Sequence, residues 1–269
     1  MTESGGQEKW TSGFPSGRAT IKNVLVTGAA KRLGRAIALD LAAAGWNVAL
    51  HYNTSQAEAQ STADAVRAQG VQVALLQADL GDEAQNQVLV ARAAQAIGPL
   101  TALINSASIF ENDNWQSATR KSWDTHIEVN LRSPLVLSQS FAAQLPDGVQ
   151  GNIINLIDQR VLKPNPQFLS YSLSKAGLHW LTTTLAQGMA PRIRVNAVGP
   201  GPVLRNARQS VADFDRQRDA TILGHGADPA DICAAVRYLL EARSVTGQMI
   251  AVDGGQHLIW QTPDTMGHE

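Results

Sequence analysis

The chain has 269 residues, 44% apolar and 17% charged, which excludes a largely disordered polymer and leaves room for one large or two small domains. Lys and Arg number 22 against 23 Asp and Glu, a net charge of −1, so no basic excess is present to hold a nucleic-acid backbone. The one cysteine, Cys233, excludes an internal disulfide and a cysteine-rich metal centre, and fits a reducing compartment; a cytoplasmic location and no metal are expected.

No apolar run of about 18 residues is present, so no membrane span is expected. Residues 1–19 are polar and Gly/Ser-rich, with Trp10 and Phe14 as the adhesive points. They lack the apolar stretch of a signal peptide and read as a flexible tail. Residues 20–260 read as one domain without an internal linker, and 261–269 as a second tail.

Short apolar runs alternate with helical patterns along the domain. IKNVLVTG (21–28) predicts a buried strand ended by glycine. Leu33, Ile37, Leu41 and Ala44 then recur at helical steps until Gly45. NVALHY (47–52), VQVALLQADL (71–80), TALINSAS (101–108), NIINLI (152–157), RIRVNAVGPG (192–201) and QMIAVDGG (248–255) predict six further strands. Helices are predicted over 55–69, 82–97, 118–145, 170–188 and 228–241, with 203–226 irregular or helical. This alternation implies right-handed crossovers and a doubly wound parallel α/β sheet, covered on both faces.

The first strand runs into Thr27-Gly28-Ala29-Ala30-Lys31-Arg32-Leu33-Gly34. Small residues at a strand-to-helix turn admit a pyrophosphate, and the helix N-terminus supplies free N–H groups. The second strand ends in His51-Tyr52-Asn53-Thr54-Ser55, with no acid to meet a ribose 2′-hydroxyl. Lys31, Arg32, His51 and Ser55 offer donors instead, which suits the 2′-phosphate of NADPH; the plainer reading of His51 is a surface residue at a strand end. Asp79 could accept from an adenine amino group or cap the next helix, as could Asp82. Tyr171 and Lys175, at i and i+4 in YSLSK, share a helix face, where an ammonium favours the phenolate and readies it for proton transfer.

TGAAKRLG, the ADL at Asp79, NSAS (105–108), the VNL at Asn130, YSLSK, NAVGPG (196–201) and VTGQMIAVDGG (245–255) together resemble the short-chain dehydrogenase/reductase family over residues 21–257. The resemblance implies a seven-stranded Rossmann-type sheet and a homotetramer. It implies Tyr171 as proton donor, Lys175 on the nicotinamide ribose and Asn130 holding a relay water. The cofactor would run along Gly28, Lys31, Arg32, Leu33 and Gly34, then His51, Tyr52, Asn53 and Ser55. It would continue past Asp79 and Leu80, then Asn105, Ser106 and Ala107, to Tyr171, Lys175, Pro200 and Gly201.

Two departures stand out. Arg32 replaces the glycine usual in the turn, and Asp158 stands thirteen residues before Tyr171, where the family has its serine. An ionised carboxylate repels a developing alkoxide, which disfavours ordinary ketone reduction and suits a nitrogen-rich ring. Both departures, with LHYNTSQAEA, NSASIF and NLIDQR, resemble the pteridine reductase branch, which includes dihydromonapterin and dihydrofolate reductases. That branch implies Arg32 between pyrophosphate and pterin, Phe110 as one face of an aromatic sandwich, and Ser108 at the cofactor or the pterin amino group. Asp158 and Tyr171 would protonate the ring. The alternatives are a packed loop aromatic for Phe110 and a lost catalytic position for Asp158.

Cys233 reads as a core residue, and His126, His179 and His225 show no metal-ligand spacing. Trp115, Trp123 and Trp180 are expected to pack, with a subunit interface as the alternative for Trp180. Residues 202–226 read as a substrate lid. Three functions compete: an NADPH-dependent pterin reductase, a reductase of another carbonyl or imine, and a nucleotide-binding protein without strong catalysis.

Overall fold

The computed structural model describes residues 21–206 and 208–262. The expected N-terminal tail, and all of the expected C-terminal tail beyond Thr262, lie outside the described residues. The elements are β1 (Asn23–Val26), α1 (Arg32–Ala43), β2 (Asn47–Tyr52), α2 (Gln56–Arg67), β3 (Val73–Gln77), α3 (Glu83–Ile97), β4 (Ala102–Asn105) and α4 (Arg120–Ile127). They continue with α5 (Ser133–Gln144), β5 (Gly151–Leu156), α6 (Leu169–Met189), β6 (Ile193–Pro200), α7 (Val211–Asp219), α8 (Pro229–Glu241) and β7 (Met249–Val252).

The strands form a seven-stranded parallel sheet in the order β3-β2-β1-β4-β5-β6-β7. Because side chains alternate along a strand, β1 sends Val24 and Val26 to one face and Leu25 to the other. β4 divides Ala102 and Ile104 from Leu103 in the same way. One face packs on Ile37 and Leu41 of α1, Val66 of α2 and Val236 of α8. The other packs on Leu89 of α3, Phe141 of α5 and Ala186 of α6. Phe141 is fully buried, and truncating such a ring costs about 3–5 kcal/mol.

The single helix expected over 118–145 contains a π turn, Glu128–Arg132, between α4 and α5. Pro134 lacks the N–H that an α-helix would donate to the Asn130 carbonyl, so regular pairing fails at Asn130. The strand order reverses between β1 and β4, and a crevice opens there beyond the carboxyl ends of the strands.

Candidate active site

A cleft of about 870 Å³ occupies that crevice, within the size range of ligand sites. Its floor is the turn after β1. Gly28 has φ +65°, and a Cβ there would lie 2.9 Å from Ala107 Cα, so only glycine fits between the turn and the loop after β4. No side chain caps α1, which leaves its first-turn N–H groups to an anion. Arg32 holds φ +55° without being glycine, a conformation that costs about 1–3 kcal/mol. Its guanidinium donates to the carbonyls of Arg205 at 2.8 Å and Leu204 at 2.9 Å, tying the turn to the expected lid.

His51 corrects the expectation drawn from its chemistry. It is buried; Nδ1 accepts from Gly28 N–H at 3.1 Å, and Nε2 lies 3.1 Å from the Ala78 carbonyl. Burial lowers its pKa to about 4, so the ring is neutral and props the turn from beneath instead of presenting a charge to a phosphate. Nor is it a surface histidine. Lys31, which also forms an ion pair with Glu58 at 3.5 Å, and Asn53 line the cleft beside it. Asp79 lines the cleft and accepts from Gly81 N–H, whereas Asp82 caps α3. Tyr52 packs against the core, Ser55 precedes α2, and Asn105 is buried against Asn155; none of the three lines the cleft.

At the other end, the Tyr171 hydroxyl donates to Asp158 Oδ2 at 2.8 Å, and Lys175 Nζ donates to the Leu156 carbonyl at 2.8 Å. Burial and the Asp158 charge push the Tyr171 phenol well above its usual range. Burial raises the Asp158 carboxyl and lowers Lys175 to about 8, although Asp158 pulls the ammonium back up. A carboxyl that burial makes harder to ionise thus faces a phenol whose proton is harder to remove.

The Asn130 side chain is taken up by protein partners. Its Oδ1 accepts from Ile109 N–H and Ser108 Oγ, and its Nδ2 donates to the Ile109 carbonyl and Ser174 Oγ. It pins the loop after β4 to α6, and the backbone irregularity at Pro134 is what marks this position.

The wall of the cleft contains residues that the sequence reading did not single out. Phe168 stacks on Phe110 with ring centres 4.3 Å apart and planes 5° from parallel, and Tyr171 meets Phe110 edge-on at 4.6 Å. Arg208, in the segment expected as a lid, reaches across the cleft to the Glu111 carboxylate and the Phe110 carbonyl. Behind the loop, Asp113 accepts from Ser170 and Ser122, while Glu111 N–H donates to His126 Nε2, so His126 is a buried structural residue. Cys233 is buried with its thiol raised to about 11, as a core residue should be. Trp115, Trp123 and Trp180 are instead 79%, 40% and 75% exposed, which corrects their reading as packing residues.

The cleft therefore joins a phosphate-ready turn, with Lys31 and Asn53 beside it, to a buried Asp–Tyr–Lys group: the architecture of a dinucleotide-dependent oxidoreductase. Residues 28–257 match the family model described as enoyl-(acyl carrier protein) reductase. The chain is 32% identical over 242 residues to the 3-oxoacyl-[acyl-carrier-protein] reductase FabG of Staphylococcus aureus, covering 88% of this chain and 98% of that one. Among solved structures it resembles FolM alternative dihydrofolate reductase 1 from Brucella suis in complex with NADP, at 46% identity and a TM-score of 0.87, covering 90% of this chain and 97% of that one. It also resembles a short chain dehydrogenase from Burkholderia cenocepacia in complex with NADP, at 33% identity and a TM-score of 0.83, covering 89% and 99%. The chain belongs to the short-chain dehydrogenase/reductase family.

Proposed function

We propose that this protein reduces a C=N bond of a pterin-type ring, such as a dihydropterin, dihydromonapterin or dihydrofolate, with NADPH as cofactor. The observation that carries the reading is the 2.8 Å hydrogen bond from Tyr171 to Asp158, a carboxyl where the family's ketone reductases place a hydroxyl. Identity to the Brucella dihydrofolate reductases exceeds identity to FabG, and this supports the same direction. NADPH supplies a hydride to the ring carbon of the C=N bond. Tyr171 gives its proton to the ring nitrogen, and Asp158, held as an acid by burial, restores the proton to Tyr171. Lys175 anchors the nicotinamide ribose, Ser108 meets the cofactor or the ring's amino group, and Arg32 links the turn to the lid over the ring. Phe110, backed by Phe168, supplies a flat apolar wall for stacking.

The test is a panel of oxidised pterins, folates and simple ketones with NADPH. Turnover of pterins or folates over ketones is expected. Turnover of ketones alone overturns the reading, and NADPH binding without turnover of any member favours a non-catalytic role. We also propose a homotetramer, supported by the exposed Leu173 and Trp180 on one face of α6 and by Trp123 on the adjoining α4.

A further inference from the structure

Arg160 follows Asp158 by two residues, at a short turn that Asp158 caps. Its backbone N–H donates to Asp158 Oδ1 at 2.9 Å, and its side-chain Nε lies 3.9 Å from the same oxygen. The guanidinium carbon sits 4.8 Å from the Phe168 ring centre and 5.6 Å from that of Phe110. The Arg160 and Asp158 side chains are only 18% and 19% exposed, and Arg160 Nη1 is buried without a hydrogen-bond partner. A cation with an unmade hydrogen bond in such a place is a poor stabiliser, since buried ion pairs are often matched or bettered by apolar packing. Its position against the acid is the better account of it.

We propose that Arg160 is a positioning residue that sets the charge state of the Asp158 carboxyl, and with it the pH range in which Asp158 passes its proton to Tyr171. The second half rests on the acid role proposed above for Asp158. The other groups facing the carboxyl are the Tyr171 hydroxyl and the Lys175 ammonium, both from α6. Arg208 lies farther out, 5.9 Å from the Phe110 ring. Burial drives Asp158 toward the neutral form, and the Arg160 backbone N–H, then the Arg160 charge, the Tyr171 hydrogen bond and the Lys175 charge oppose it. An acid must hold its proton to donate it, so activity falls as pH rises through the Asp158 transition. Loss of the Arg160 charge should move that falling limb to higher pH.

The experiment titrates Asp158 directly in the full-length enzyme by difference infrared spectroscopy, its carboxyl band being identified by its loss in Asp158→Asn. In Arg160→Gln the midpoint should rise by about one to two units, while Arg160→Lys should stay nearer the wild type. Arg160→Met, which keeps a long side chain against Phe168, replaces the Gln variant if that variant fails to fold. A neutral variant titrating with the wild-type midpoint, or Arg160→Lys titrating with the neutral variants, overturns the proposal for Arg160. A shifted midpoint with an unmoved limb in the pH profile of kcat instead overturns the acid role of Asp158.

Discussion

The Tyr171 hydroxyl and Asp158 Oδ2 lie 2.8 Å apart, although they stand thirteen positions apart in the chain. The hydrogen bond points the phenol proton at a carboxyl which burial makes harder to ionise.

Asp158→Asn keeps the shape of this pair and removes its proton source. It should lower kcat for a pterin substrate by about 10²–10⁴, the usual worth of general acid catalysis, with NADPH affinity nearly unchanged. Asp158→Ser should raise activity on simple ketones by restoring a hydroxyl donor. Steady-state kinetics on both substrate types, with NADPH affinity from fluorescence, check this; a wild-type pterin rate in Asp158→Asn removes the carboxyl from the mechanism.

Of Lys31, Arg32 and His51, we propose that Lys31 selects the cofactor, since His51 is neutral and buried and the Arg32 guanidinium bonds to the Arg205 and Leu204 carbonyls. Wild-type enzyme should prefer NADPH to NADH in kcat/KM. Lys31→Ala should weaken NADPH about ten-fold, the loss of one charge-assisted hydrogen bond, and leave NADH almost unaffected. Equal kcat/KM for the two cofactors in the wild type contradicts this.

His51 should make the fold acid-sensitive. Its native pKa is about 4 against the usual 6.5, so between these values the unfolded chain binds a proton that the native ring refuses. Stability is therefore full above pH 6.5 and falls as pH drops toward 4, by up to ~3 kcal/mol. Urea unfolding at pH 7.5 and pH 5 should show a smaller acid-induced loss in His51→Gln than in the wild type. Parallel losses in the two proteins would falsify this account.

Trp180 and Leu173 lie seven residues apart on α6, on one face, with 75% and 44% of their surface exposed. Light scattering at micromolar concentration should give a tetramer, and Trp180→Asp should shift it toward smaller species. A stable wild-type monomer counts against the assembly.

Alternating strand and helix patterns, the turn at Gly28 and the four-residue step from Tyr171 to Lys175 are local properties, and local periodicity was enough to place them. The doubly wound parallel sheet followed as well, because parallel strands joined by helices admit few arrangements. Asp158 could be placed through the resemblance, because it stands where the family has its serine, thirteen positions before Tyr171. What only the tertiary structure decided is which distant groups meet and which charges survive burial. Nothing in the string brings Arg32 to Leu204, 172 residues later, or Arg208 back to Glu111. Phe168 and Phe110 are 58 positions apart until the loop after β4 folds onto the start of α6. His51 looked like a phosphate ligand because its residue type can carry a charge. The sheet closes over it, desolvation outweighs its hydrogen bonds, and the ring becomes a neutral prop. A sequence lists the groups that can ionise or donate; burial, which depends on the whole chain at once, determines which of them do.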